Sequence, residues 1–268
     1  MSSGLPVTLD LDRYFARIGY RGPTAPSLAT LGGIVRCHVE TVPFENLDVL
    51  LGRPPRLDLA SLVGKIVDAR RGGYCFEHAT LLGAVLGGLG FSVATHSARV
   101  IMLRPKQDCP RTHMLLSVEL PEGSYVVDPG FGTLAPRAPV PLDGAHVCVE
   151  AEEHWIERAG DDVLLVARTP EKLVRAWSTT LERDYPIDFE LANHYTATHP
   201  DSSFVQRLLA RAYTPEGKLT LHNRDAAVAG RSWQLANRGE LRDLLAKGFG
   251  FELPEVTDLA IPSLGAWQ

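Results

Sequence analysis

At Phe91 the spacing of apolar residues changes from three-and-four to two, and no other feature of the chain constrains its fold as strongly. Helices are expected before it. Asp10 caps one with Leu11, Tyr14, Phe15 and Ile18 on a single face, ahead of Gly19 and a Pro23/Pro26 turn. Ser27 opens a second with Leu28, Leu31, Ile34 and Val35, and Asp58 a third with Leu59, Leu62, Val63 and Ile66, ending at Gly72-Gly73. A fourth begins near Cys75 and runs to Gly87, Gly88 and Gly90. Strands are expected after it, over 92–103, 113–120 and 125–128, with Pro121-Glu122-Gly123-Ser124 as the turn between the last two. Residues 129–145 read as a loop. Runs at 147–149 and 163–167 and the alternation around Trp177 extend a small barrel or open sheet to about residue 190. Beyond it the pattern predicts a helix over 203–212, a hairpin over 218–235 and a helix over 237–248.

A chain of 268 residues buries a core without staples, and neither a repeat nor a low-complexity linker divides it. Its net charge of -5 provides no basic footprint for nucleic acid. The longest greasy run, 81–91, holds four glycines and is far shorter than the roughly 20 residues of a membrane span. With no charged n-region or apolar h-region at the start, a cytoplasmic location is expected. Cys37, Cys75, Cys109 and Cys148 form no CxxC pair and no metal-ligand spacing, which predicts reduced thiols and no metal.

One of the four stands out. In RRGGYCFEH (70–78), Cys75 follows two glycines and begins an apolar helix, where free N–H groups and the helix dipole favour a thiolate. Most cysteines are instead inert and buried. A reactive thiol needs a base distant in sequence. His113 begins one expected strand and Asp128 ends the next, so a hairpin brings imidazole and carboxylate to one sheet edge near the start of the Cys75 helix. The chain order Cys, His, Asp is that of papain-like and transglutaminase-like sites. A turn centred on Glu122-Gly123 would set Asp128 opposite Ser117, about 13 Å along the strand from His113, and a bulge, register shift or third strand must close that gap. His38, His78, His146 and His154 read as structural, and Glu77 as a partner for Arg70 or Arg71.

RRGGYCFEH resembles the active-site signature of arylamine N-acetyltransferases. VPFENLDVLLGRP (42–54), RTHMLL (111–116), VDPGFG (127–132) and NHYTATHPDSSFV (193–205) are similar to that family's other marked segments, in the same order and across nearly the whole chain. The resemblance selects Cys75, His113 and Asp128 as a catalytic triad. It implies an α+β fold with a helical N-terminal region (1–90), a β-barrel middle (91–190) and an α/β C-terminal lid (191–268) around a cysteine-protease-like Cys-His-Asp core. It also implies acetyl-CoA as donor and an arylamine or hydrazine as acceptor. Gly130, Phe131, Gly132 and Thr133 offer unobstructed N–H groups for a pyrophosphate, so Gly130, Gly132 and Thr133 are the expected CoA contacts; a plain turn would read the same way. Phe44, Val100 and Phe131 match positions that line the family's acceptor pocket. One departure is Ala79, where the family usually has Asn.

The implied chemistry is ping-pong, with an acetyl-cysteine at Cys75, His113 moving protons and Asp128 steadying the ring. A macrolactam-forming amide synthase would use the same triad on a larger acyl chain. A cysteine hydrolase matches the triad order but not the other four segments. The sequence sets neither the preferred amine nor the oligomeric state.

Overall fold

The computed structural model describes residues 9–264 and Trp267. Local chemistry starts the first two helices where the sequence places them. Asp10 accepts the Arg13 N–H ahead of α1 (Leu11–Ile18), and Gly19 closes that helix at φ 71°. Ser27 accepts the Thr30 N–H ahead of α2 (Leu28–Thr41). A short β1 (Phe44–Glu45), α3 (Leu47–Leu50) and α4 (Leu59–Leu62), which continues as a π-turn over Val63–Asp68, lead to α5 (Cys75–Gly88). Tyr14, Leu31, Ile34, Leu62, Phe76 and Leu82 close the core among them.

Eight antiparallel strands follow: β2 (Ser92–Val100), β3 (Arg111–Leu120), β4 (Gly123–Val127), β5 (Val140–Pro141), β6 (Val147–Val149), β7 (Glu152–Ala159), β8 (Asp162–Arg168) and β9 (Leu173–Thr179). Their order is β5-β4-β3-β2-β9-β8-β7-β6. All but β6 send a residue into one buried cluster, from Ala98 on β2 to Trp177 on β9, so the sheet curls into a near-barrel. The rest comprises α6 (Pro186–Thr198), α7 (Ser203–Gln206), β10 (Leu209–Thr214), β11 (Gly217–His222), β12 (Asp225–Val228), β13 (Arg231–Gln234) and α8 (Arg238–Leu244) with a π-turn over Leu245–Phe249. A second sheet, β1-β10-β11-β12-β13, joins the N-terminal Phe44–Glu45 to this last part. The mixed helix-and-sheet architecture agrees with the α+β expectation. Among the described residues no helix is long and apolar enough to cross a membrane.

Several elements differ from the sequence reading. The helix expected over 203–212 stops at Gln206, and the chain enters β10 instead. Asn46 causes the break: its Nδ2 donates to the carbonyls of Phe204 and Arg207, and its Oδ1 accepts the Leu209 N–H, so a side chain from elsewhere takes the groups that a continuing helix would use. The first strand ends at Val100, not 103. β7 carries four charged residues and α6 buries Asn193 and Thr196, so neither shows a clean apolar period. The β3–β4 turn is tighter than expected. Leu120 pairs with Gly123 and Leu116 with Val127, and Gly123 at φ 145° occupies a conformation that suits glycine. Continuing that register puts Asp128 across from Leu115, not Ser117, and halves its offset from His113 to about 7 Å.

Candidate active site

Cys75 is the first residue of α5 and almost fully buried. Glu77 accepts the Tyr74 N–H at 3.0 Å and caps that helix start. The paired glycines before it are sterically required. A Cβ on Gly72 would lie 1.9 Å from the Pro43 carbonyl oxygen, and one on Gly73 would lie 2.6 Å from a Glu77 carboxylate oxygen. Glu77 does not pair with Arg70 or Arg71. Its Oε1 meets Lys65 Nζ at 2.8 Å, while Arg71 bridges Glu45 and Asp48 at 2.7 Å each. The pairing crosses from the α4 π-turn to α5, and sequence spacing gives no sign of it. Burial raises the Glu77 pKa even with Lys65 beside it.

His113 and Asp128, both buried, meet at 2.8 Å from Nε2 to Oδ2. Side-chain reach covers what the β3–β4 register leaves. The register between β2 and β3 shifts at Ala98/Arg99, which makes Thr112 a bulge, and its carbonyl oxygen lies 3.8 Å from Cys75 Sγ. Because Nε2 is committed to Asp128, Nδ1 is the ring nitrogen left for the thiol. Burial alone would lower the His113 pKa. The charge and hydrogen bond of Asp128, with Cys75 adding to them, reverse that and raise it to about 10. A residue that the sequence reading placed in a strand but not at the site completes the cluster: Trp177 on β9, fully buried, donates Nε1 to the same Asp128 Oδ2 at 2.8 Å. Its place in an alternating strand was legible; the partner of its N–H was not.

The loop after Asp128 packs directly on the start of α5. A Cβ on Gly130 would stand 2.5 Å from Cys75 Cα, so only glycine lets this loop lie there. Phe131 sets its ring edge-on to His113, 4.9 Å between centroids. Gly132, at φ 58°, gives its carbonyl to Arg211 Nε at 3.0 Å, and the exposed Thr133 gives its own to Lys218 Nζ at 2.7 Å. The Phe44 ring faces Gly132 and lies 6.1 Å from that of Phe204. Val100 ends β2, half-buried and paired with Trp177. Ala79 is fully buried one turn after Cys75.

Such a cluster can hold an imidazolium beside a sulfur nucleophile, with a carboxylate fixing the ring and a glycine loop offering backbone donors. The family model described as N-acetyltransferase matches residues 27–257. An arylamine N-acetyltransferase of Mycobacterium tuberculosis is 40% identical over 260 residues, covering 93% of this chain and 92% of its own. The solved structure of arylamine N-acetyltransferase from M. tuberculosis superposes with a TM-score of 0.85 at 39% identity, covering 90% of this chain and 94% of that one. The Mycobacterium marinum enzyme in complex with CoA superposes with a TM-score of 0.87 at 33% identity, covering 92% and 94%.

Proposed function

Because the chain belongs to the arylamine N-acetyltransferase family, we propose that it transfers acetyl groups from acetyl-CoA to the nitrogen of arylamines or arylhydrazines through an acetyl-Cys75 intermediate. The observation that carries the reading is the buried 2.8 Å contact of His113 Nε2 with Asp128, which leaves Nδ1 to serve a thiol at the start of α5.

In the first half-reaction His113 Nδ1 takes the Cys75 proton, and Asp128 holds the imidazolium. The thiolate attacks the acetyl carbonyl, and the tetrahedral oxyanion is stabilised by backbone donors that include the Cys75 N–H at the helix start. Collapse breaks the carbon–sulfur bond to CoA, whose sulfur leaves with the His113 proton. The amine then attacks the acetyl-cysteine, its proton passes to His113, and the Cys75 thiolate departs. Thioester exchange is nearly balanced, so amide formation supplies the driving force.

Gly130, Gly132 and Thr133 are assigned to the CoA side and Phe44, Val100 and Phe131 to the acceptor side. The contact of Phe131 with His113 supports its assignment. Residues from about 191 onward serve as a lid, a role supported by the tethers from Arg211 and Lys218 to the Gly132–Thr133 turn. Acetyl-CoA without amine should add the mass of one acetyl group, mapped to the Cys75 peptide. Turnover by Cys75→Ala would overturn the assignment. Preference for a long macrolactam precursor over acetyl-CoA would favour an amide synthase.

A further inference from the structure

Apart from the Cys75 cluster, three buried polar side chains run in a line beneath it. Tyr14 Oη lies 2.7 Å from His38 Nδ1, His38 Nε2 lies 2.8 Å from His78 Nδ1, and His78 Nε2 lies 3.1 Å from the Pro43 carbonyl oxygen. None of the three side chains is exposed to solvent. The carbonyl only accepts, so His78 carries its proton on Nε2 and accepts at Nδ1. His38 must then donate from Nε2 and accept at Nδ1, and Tyr14 donates its hydroxyl. The Pro43 carbonyl thus sets the direction of the three bonds, and each group is satisfied while both rings are neutral.

The end of this line is mechanically important. The Pro43 oxygen also accepts the Gly73 N–H at 3.2 Å, and Gly72 passes so close to it that a Cβ would not fit. The Pro43 oxygen at the junction with the glycine loop before Cys75 is therefore held by two donors, of which His78 is one, and the Glu45 N–H adds a bond to the Gly73 carbonyl at 2.8 Å. His78 sits three residues after Cys75 on α5, and its ring stacks on that of Phe44 at 6.4 Å and 17°.

We propose that His78, oriented by His38 and Tyr14, is a positioning residue for the acceptor side of the acetyl-transfer site, fixing Pro43 and the Phe44 ring against the Cys75 helix as a neutral Nε2–H imidazole. This rests on the acetyl-transfer reading. Burial first, and then the Arg211 guanidinium, hold the His78 pKa down at about 3, with Lys65 acting in the same direction. Burial, His78, Arg17 and Arg211 hold His38 well below its ordinary value. Tyr14, whose own pKa burial raises with the help of Cys37, stays a hydroxyl. Protonating His78 would set two N–H donors face to face across the 2.8 Å contact, and protonating His38 would set its Nδ1–H against the Tyr14 hydroxyl.

Two measurements test this. In protein labelled with 15N-histidine, long-range 1H–15N correlations should report Nε2–H and a bare Nδ1 for both rings, with neither ring titrating in the ordinary imidazole range. A proton on Nδ1 of either ring, or an ordinary titration, overturns the proposal without any variant having to fold. In kinetics, His78→Phe keeps the stack but removes both nitrogens and should raise the amine KM about tenfold. His38→Phe and Tyr14→Phe should raise it progressively less. Single-turnover acetylation of Cys75 by acetyl-CoA alone should move far less than KM. An unchanged amine KM in a folded His78→Phe protein, or equal losses in both half-reactions, overturns it. Absence of acetyl-Cys75 in the wild type would instead refute the acetyl-transfer reading, and the tautomers would still be measured independently.

Discussion

The indole of Trp177 and the imidazole of His113 donate to the same oxygen of Asp128, each at 2.8 Å. Two donors from different strands hold that carboxylate oxygen at one point, with β3 supplying the imidazole and β9 the indole. Trp177→Phe keeps the bulk in the barrel core but removes the N–H. A hydrogen bond to a charged group contributes about 1.5–3 kcal/mol, so kcat/KM should fall about tenfold or more with amine KM little moved. Steady-state kinetics check it. Wild-type kcat would remove Trp177 from the account.

The pH dependence of stability follows from the same carboxylate. The folded pKa of His113 is raised to about 10 against an ordinary 6.5. The protonated ring therefore contributes stability that is fully present below about pH 6.5 and is lost as pH rises through about 10. Asp128→Asn removes the charge and leaves the burial, so the folded pKa should drop and that alkaline loss should vanish. Chemical denaturation of both proteins at pH 6, 8 and 10 is the comparison. Parallel curves would mean that Asp128 does not set the charge of the ring.

Gly130→Ala places a methyl 2.5 Å from the Cys75 Cα, a backbone atom that cannot swing aside. Overpacking of this kind costs about 1–3 kcal/mol, and here the strain falls on the turn that carries Cys75. Acetylation of Cys75 should be lost even in protein that folds. Gly87→Ala, on the same helix with nothing within 4 Å of the added atom, should instead stabilise by about 0.5–1 kcal/mol and leave activity intact. Thermal melts and intact mass separate the two cases.

What the sequence made legible tracks the range over which each interaction acts. Asp10, Ser27 and Gly19 act within a few residues, and the first two helices start, and α1 stops, where they indicate. Helix-start chemistry and chain order made Cys75, His113 and Asp128 candidates, and His113 does meet Asp128, although the hairpin register carries Asp128 to a position opposite Leu115. Partners fixed only by tertiary packing were not readable. Trp177 reaches Asp128 across 49 positions, Lys65 and not a neighbouring arginine takes Glu77, and Asn46 converts an expected helix after Gln206 into β10 from more than 150 positions away.

The final prediction concerns why the last third of the chain is present at a site whose proposed reacting groups all lie before it. An acetyl-cysteine open to water would hydrolyse, and a transferase must favour amine attack. Arg211 is the most direct physical link to that task. It is almost fully buried on β10, paired in register with Phe44, and donates Nε to Gly132 O and Nη1 to Val39 O. It thereby ties the second sheet to the loop that packs on Cys75. Lys218 makes a second, more exposed tie to Thr133 O. Arg211→Met fills similar volume without the tethers. It should leave Cys75 acetylation by acetyl-CoA close to wild type yet raise the ratio of acetyl-CoA hydrolysis to amine acetylation severalfold, and Lys218→Met should raise it less, since water can replace an exposed ammonium. The ratio is read from free CoA released with and without amine. An unchanged ratio in folded Arg211→Met would place selectivity against water in the immediate surroundings of Cys75, leaving the second sheet a role in stability alone.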